Sequence, residues 1–304
     1  MLDPNRPDLV VGIIGAGAMG RGIAQIAAAS GAAVRLLDAR AGAAEEARAA
    51  IGTVFSGLVA KGRMDAAAAE AALARLHPVA SVGEMAGAHV VVEAIIEDLD
   101  AKRRLFEELE VAVDPGCILA TNTSSLSVTA IAAACARPGR VAGFHFFNPV
   151  PLMKIVEVID GALTEPWVCE ALSGLAGRFG HRGVRAADMP GFLVNHAGRG
   201  LTTESLRLLQ EGVVSVEDAD RILREACGFR MGPFELLDLT GLDVSHPVME
   251  SIYRQFYDEP RFRPSALLGR RLAAGLLGRK SGRAFYAYQD GRPVAPPEPP
   301  VPAA

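Results

Sequence analysis

Residues 10–20 read VVGIIGAGAMG, an apolar run that ends in glycines at the spacing G-x-G-x-x-G. This stretch restricts the fold more than any other. It requires a strand, a tight turn and a helix in immediate succession. Gly15 permits the turn, Gly17 lets the backbone approach a pyrophosphate, and Gly20 lets the helix pack closely on the strand. Ala18 and Met19 complete the loop, and the helix N-terminus beneath it favours negative charge. Asp38 ends the next apolar run, 18 positions after Gly20 (38 minus 20). Its carboxylate is placed to accept hydrogen bonds from the adenosine ribose hydroxyls and to repel a 2′-phosphate, so NAD is favoured over NADP. Arg40 nearby keeps NADP in play. A glycine-rich turn with no ligand is the alternative, and the strand, helix and acidic residue together outweigh it.

The pattern continues. Strand-like runs at Val34–Asp38, Val90–Ile95, Cys117–Thr121 and Val141–Phe147 alternate with helical stretches: Arg21–Ser30, an alanine-rich segment to about Ala60, another over Ala66–Leu76, one capped by Asp98, and one from about Ser127. Strands alternating with helices predict a parallel sheet covered on both faces. From Pro190 the patterns are helical, with Phe192–Gln210 as one long helix and Val216–Ala226 as another. The chain is therefore expected to be α/β: a Rossmann-like dinucleotide-binding domain over 1–188, an all-helical C-terminal domain over 189–290, and a disordered proline-rich tail over 291–304.

With 50% hydrophobic and 22% charged residues, the 304-residue chain can bury a sizeable core. The net charge of −4 gives no basic footprint for nucleic acid or an anionic membrane surface. No run approaches the roughly 18 apolar residues of a membrane span. The N-terminus lacks a basic segment followed by an apolar one. The four cysteines have neither a C-x-x-C pair nor metal spacing, so no metal is expected and a reducing cytoplasm is.

His145 and Glu157 raise a separate question, because each lies in an apolar strand-like run. The five residues Asn148–Leu152 are too few for a parallel crossover, so the two runs are expected to pair antiparallel. A symmetric hairpin sets His145 opposite Ile155 and Glu157 one diagonal away on the same face. A carboxylate among apolar residues needs a partner. Beside histidine it would orient the ring, select its tautomer and raise its basicity. A satisfied core histidine is the usual alternative; the pairing, near a strand's C-terminal end in a dinucleotide-binding sheet, favours catalysis.

Taken together the segments GAGAMGRGIAQ (15–25), VVEAIIEDLDAKRRLF (91–106), TNTSSLSVTAIA (121–132), GFHFFNPVPLMKIVEVI (143–159), DMPGFLVN (188–195), GPFELLDLTGLD (232–243) and GRKSGRAFYAY (278–288) resemble the L-3-hydroxyacyl-CoA dehydrogenase family, in the family's order. The resemblance implies His145 as catalytic base and Glu157 as its orienting carboxylate. It implies Ser124 and Asn195 as residues holding substrate, and Glu97, Lys102 and Asn122 along the nicotinamide half of NAD. Lys61 is matched to the CoA phosphates on a looser pattern. It also implies a homodimer. Two positions depart from the family: His196 stands where arginine is usual, and Ala284 where glycine is. Each assignment has a plainer counterpart, such as helix-capping serines at Ser124 and Ser125 or a solvated Lys61. The expected reaction is reversible, NAD-dependent oxidation of an L-3-hydroxyacyl-CoA. A dehydrogenase of free hydroxy or sugar acids and a non-catalytic NAD-binding module are the rivals.

Overall fold

A computed structural model of the chain describes residues 2–295. The first part contains β1 (Val10–Ile14), α1 (Ala18–Ala29), β2 (Ala33–Leu37), α2 (Ala43–Ala60), α3 (Ala66–Ala74), β3 (Leu76–Pro78), β4 (Val90–Glu93), α4 (Leu99–Ala112) and β5 (Ile118–Thr121). It continues with α5 (Val128–Ala132), β6 (Val141–Phe146), β7 (Ile155–Asp160), α6 (Pro166–Arg178) and β8 (Arg182–Ala187). The eight strands form one sheet in the order β3-β2-β1-β4-β5-β6-β7-β8. Every neighbouring pair is parallel except β6 and β7. Strand order reverses between β1 and β4, which creates the crevice where ligands of such sheets bind.

The strands alternate their side chains between two apolar layers. Val11, Ile13, Val34, Leu36, Val90 and Val92 pack with Ile23 of α1, Ile51 of α2 and Leu172 of α6. Ile14, Leu37, Val91 and Leu119 pack with Phe106 and Leu109 of α4 on the other face. Asp98 and Ser127 cap α4 and α5 by accepting from Ala101 N and Ala130 N.

Three elements of this first part were not foreseen. Leu76 opens the short β3 rather than closing a helix, since α3 ends at Ala74. A three-residue strand carries no readable period. β8, RGVRAA, lies at the sheet edge with its residues at least partly exposed and has no apolar run to mark it. α6 carries two glycines that dilute its helical pattern.

The chain divides into two units between Phe192 and Leu193. Residues just past the expected boundary belong to the first unit for a physical reason. Asp188 accepts from Ser127 Oγ and from the amides of Val128 and Thr129, and Phe192 packs on Val128 and Ile159. The second unit opens with a π-helical turn over Val194–Gly198, followed by α7 (Arg199–Gln210), α8 (Val216–Glu225), α9 (Pro233–Thr240), α10 (Leu242–Gln255) and α11 (Ala266–Ala273). Its core includes Leu206, Phe234, Leu237, Leu242, Met249, Leu268 and Phe285.

Two expectations are corrected here. The long helix does not begin at Phe192, whose φ of +48° breaks a right-handed helix. The second unit is helical as expected, with one strand pair added at its end. β9 (Ala287–Gln289) and β10 (Arg292–Ala295) pair antiparallel, so the tail expected to be disordered from 291 starts with a strand. Residues 296–304 of that tail lie outside the described residues.

Candidate active site

The glycine loop is built as its spacing demands. Gly15 has φ +103°, and a Cβ on it would lie 2.3 Å from the carbonyl oxygen of Ala94. A Cβ on Gly20 would lie 1.8 Å from the carbonyl oxygen of Gly15, so only glycine permits this approach of α1 to β1. Gly17 differs: it has no positive φ, and a Cβ there would meet nothing within 4 Å. The protein's own packing gives no reason for glycine at that position, whereas a pyrophosphate lying on the loop does. The first turn of α1 has no side-chain cap and no acidic residue, leaving the amides above Ala18 and Met19 to an anion.

Asp38, directly after β2, accepts from Ala16 N at 2.6 Å and from Arg40 N at 2.9 Å. These bonds fix the carboxylate beside the loop. The guanidinium of Arg40 pairs with Glu46, both exposed, at 2.5 Å. That engagement weakens its claim on a 2′-phosphate and fits the preference for NAD read from Asp38.

At the ends of β4 and β5 lies a buried polar network. Lys102 of α4 is only 1% exposed, and its Nζ lies 2.5 Å from Glu93 Oε1 and 3.3 Å from Glu97 Oε2. Glu93 also accepts from Ile95 N and Thr121 Oγ1. Glu97 accepts from Thr123 Oγ1 at 2.6 Å and from the amides of Ser124 and Ser125 at 2.9 and 3.1 Å. Burial pushes the Glu97 carboxyl up, but Lys102 and the hydrogen bonds from Thr123, Ser124 and Ser125 outweigh it and hold it below its ordinary value. Asn122 Oδ1 accepts from Phe146 N at 2.9 Å, tying the end of β5 to β6. Thus Glu97, Lys102, Asn122 and Ser124 converge. Glu93, Thr121 and Thr123, which sequence reasoning passed over, join them. The only signal for Glu93 was an acid closing an otherwise apolar strand.

His145 and Glu157 are nine-tenths buried and form the other buried pair. Nδ1 lies 2.6 Å from Glu157 Oε2. The strand parity is as expected but the register is not. His145 pairs directly with Glu157, and Phe146 with Val156. The connection is longer than the symmetric hairpin assumed, because β6 stops at Phe146 and β7 starts only at Ile155; Pro149 and Pro151 within it have no amide for the ladder. Phe147 and Phe192 stand against the imidazole, with centroids at 4.7 and 5.7 Å. One ring nitrogen is committed to the carboxylate, which leaves Nε2 as the atom able to exchange a proton.

Asn195 lies in the π-helical turn of the second unit, where its Oδ1 accepts from Arg199 Nε at 3.2 Å. His196 packs on Phe256 and Phe262, with centroids at 5.5 and 5.0 Å. Ala284 is fully buried in the second unit's core. Lys61 is exposed at the C-terminal cap of α2 and has no ion pair with a described residue. The same helix contributes Val54, Phe55 and Leu58 to a groove of about 790 Å³, which α1 and residues 148–154 complete. Arg21 and Lys154 add positive charge to its mainly apolar wall. Among the described residues no group of His, Cys, Asp and Glu is arranged to hold a metal.

Residues 10–189 match the family model described as 3-hydroxyacyl-CoA dehydrogenase, NAD binding domain, and residues 191–288 match that of the 3-hydroxyacyl-CoA dehydrogenase C-terminal domain. The chain is 43% identical over 282 residues to the 3-hydroxyadipyl-CoA dehydrogenase of Escherichia coli K12, covering 93% of itself and 59% of that longer protein. It is 37% identical over 284 residues to the 3-hydroxybutyryl-CoA dehydrogenase of Bradyrhizobium diazoefficiens, covering 93% of itself and 97% of that relative. The crystal structure of (S)-3-hydroxybutyryl-CoA dehydrogenase PaaH1 from Ralstonia eutropha superposes with a TM-score of 0.89 at 36% identity, over 92% of this chain and 99% of that one.

Proposed function

The chain belongs to the 3-hydroxyacyl-CoA dehydrogenase family, and we propose that it oxidises L-3-hydroxyacyl-CoA to 3-ketoacyl-CoA through a proton relay of His145 and Glu157. The observation that carries this reading is the buried 2.6 Å contact between His145 Nδ1 and Glu157 Oε2. Bound NAD supplies the hydride acceptor. His145 Nε2 takes the hydroxyl proton as the C3 hydride departs, and the imidazolium so formed is stabilised by Glu157 across the strand pair. In reduction His145 returns the proton. Ser124 and Asn195 hold the hydroxyl and the thioester carbonyl, and orientation of these groups supplies much of the acceleration.

Lys102 bridges the two carboxylates Glu93 and Glu97 beside the nicotinamide site. The Glu97 carboxylate in turn fixes the Thr123–Ser125 loop that carries Ser124. The groove between α1, α2 and residues 148–154 suits the pantetheine arm, with Lys61 at the end of α2 for the CoA phosphates. Names of relatives include a four-carbon acyl group and a six-carbon one ending in a carboxylate.

A cytoplasmic homodimer belongs to the same reading. No described helix is long and apolar enough to cross a membrane. Three of the four free cysteines are buried, as in proteins of reducing compartments. Exposed Leu236, Leu239 and Val244 in the second unit offer apolar surface to a second copy.

The test is NADH oxidation against a series of 3-ketoacyl-CoA lengths and against free keto acids. Turnover of CoA esters alone supports the proposal. Turnover of free acids, or NADH binding without turnover, overturns it.

A further inference from the structure

Several charged side chains of the second unit are paired, and many of the others are exposed. Arg207 meets Glu204, Arg221 meets Glu217 and Asp218, Arg224 meets Glu235, Lys280 meets Asp243, and Glu250 lies between His246 and Arg254. Arg271, also buried, lies over the Phe285 ring and donates to Ala284 O, with Asp238 acting on it electrostatically. Arg199 is different. It begins α7, is largely withdrawn from solvent, and forms no ion pair with any described residue. Its guanidinium donates to Asn195 Oδ1 at 3.2 Å and reaches Ser245 O at 3.5 Å. Burial alone acts on it, lowering it to about 10, so it remains a cation at neutral pH. A shielded cation without a counter-ion is costly to keep in a fold unless an anion arrives.

We propose that Arg199 determines acyl-chain specificity by receiving the terminal carboxylate of a dicarboxylic 3-hydroxyacyl-CoA. The inference rests on the reading of Asn195 as a substrate-holding residue. Arg199 follows Asn195 by four positions, so both side chains emerge on one face of the helix start, and they are hydrogen-bonded to each other. The π-helical turn that carries Asn195 is a geometry found mostly at functional sites. The anion that reaches this position is set by covalent distance. The CoA phosphates are separated from the thioester by the whole pantetheine arm, whereas the far carboxylate of a six-carbon chain is three bonds from C3. The planar guanidinium matches a carboxylate with two parallel hydrogen bonds.

The experiment compares kcat/KM for a six-carbon 3-hydroxydicarboxylyl-CoA with that for 3-hydroxyhexanoyl-CoA. The wild-type enzyme is expected to favour the dicarboxylyl ester at least tenfold, a ratio that needs no variant to fold. Arg199→Met should lower that ratio roughly ten- to hundredfold, the worth of a charged hydrogen bond, mostly through KM. Arg199→Lys should restore part of it. An equal loss on both esters would make Arg199 a support for Asn195 or a phosphate ligand and overturns the inference. So does a wild-type enzyme that is active but indifferent to the terminal carboxylate; in that case the reaction assignment stands. Inactivity on every 3-hydroxyacyl-CoA overturns both.

Discussion

Both units bury carboxylates, and they do so in opposite ways. In the second unit Asp220 accepts from Phe234 N, Glu235 N and Tyr286 Oη, and Asp238 accepts from the amides of Phe285 and Tyr286. Their donors are backbone amides and a phenol, groups that do not exchange charge near neutral pH. These acids tie distant segments together: Asp220 holds the start of α9, and a Cβ on Gly232 would lie 2.3 Å from its Cγ. In the first unit Glu157 meets an imidazole, a ring with two nitrogens, and the imidazole keeps the second nitrogen for other work. Burial of an acid alone is therefore no mark of catalysis. The partner's ability to move a proton is.

The sharpest way to break this distinction is to neutralise each acid in turn. His145→Gln should lower kcat by a hundredfold or more, the loss expected for a general base. Glu157→Gln should keep the fold and lower kcat sharply, because an amide can hold the ring but cannot offset imidazolium charge. The double variant should lose less than the product of the two single losses, since the residues act as one unit. Near-normal kcat in Glu157→Gln would place Glu157 with Asp220 and Asp238 as a structural acid.

The converse variant, Asp220→Ala, should cost stability. Leaving the Phe234 and Glu235 amides and the Tyr286 hydroxyl without their acceptor is expected to lower the unfolding free energy by roughly 2–4 kcal/mol. Denaturant unfolding measures this, and NADH affinity of the folded fraction should hold. Unchanged stability would show that Asp220 is not the structural clamp its contacts describe.

Asp38→Ala probes a weaker effect at the cofactor loop. The unmodified enzyme should prefer NAD over NADP at least tenfold in kcat/KM, about 1.4 kcal/mol, and the variant should narrow that gap. Equal use of both by the unmodified enzyme would refute the role given to Asp38.

The same contrast accounts for what could be read from the sequence. The glycine loop was legible because the close approach of α1 to β1 dictates glycine at fixed spacing. The parity of His145 and Glu157 was legible because strand side chains alternate. Their register was not, since it depends on how residues 147–154 turn. Glu93 and Thr121 escaped because their role appears only when β4, β5 and α4 meet, 28 residues apart along the chain for that pair. β8 and β10 escaped because edge strands need little apolar sequence. Arg199 could not be told from a surface arginine until the fold withdrew it from solvent without an ion pair to any described residue.

Glu97 gives the smallest and most discriminating test, because its position between the two classes can be read from pH. Like Asp220 it collects backbone amides, at Ser124 and Ser125; like Glu157 it also meets a basic side chain, here Lys102. Its carboxyl is held below the ordinary value of 4.5 in the folded protein. The unfolded chain therefore binds more protons in the acid range. The Glu97 contribution to stability is complete above the unfolded value and is lost as the pH falls from there through the folded value. Glu97→Gln removes this linkage while keeping an oxygen for Thr123 and the two amides. In urea titrations the stability gap between wild type and Glu97→Gln should be widest near neutral pH and close as the pH drops below about 4.5. A gap that stays constant across the acid range would mean that Lys102 answers to Glu93 alone and that Glu97 serves the Ser124 loop by hydrogen bonding without charge. In that case Glu97→Gln should leave kcat as well as its pH profile unchanged, and Glu97 would join Asp220 on the structural side of the comparison.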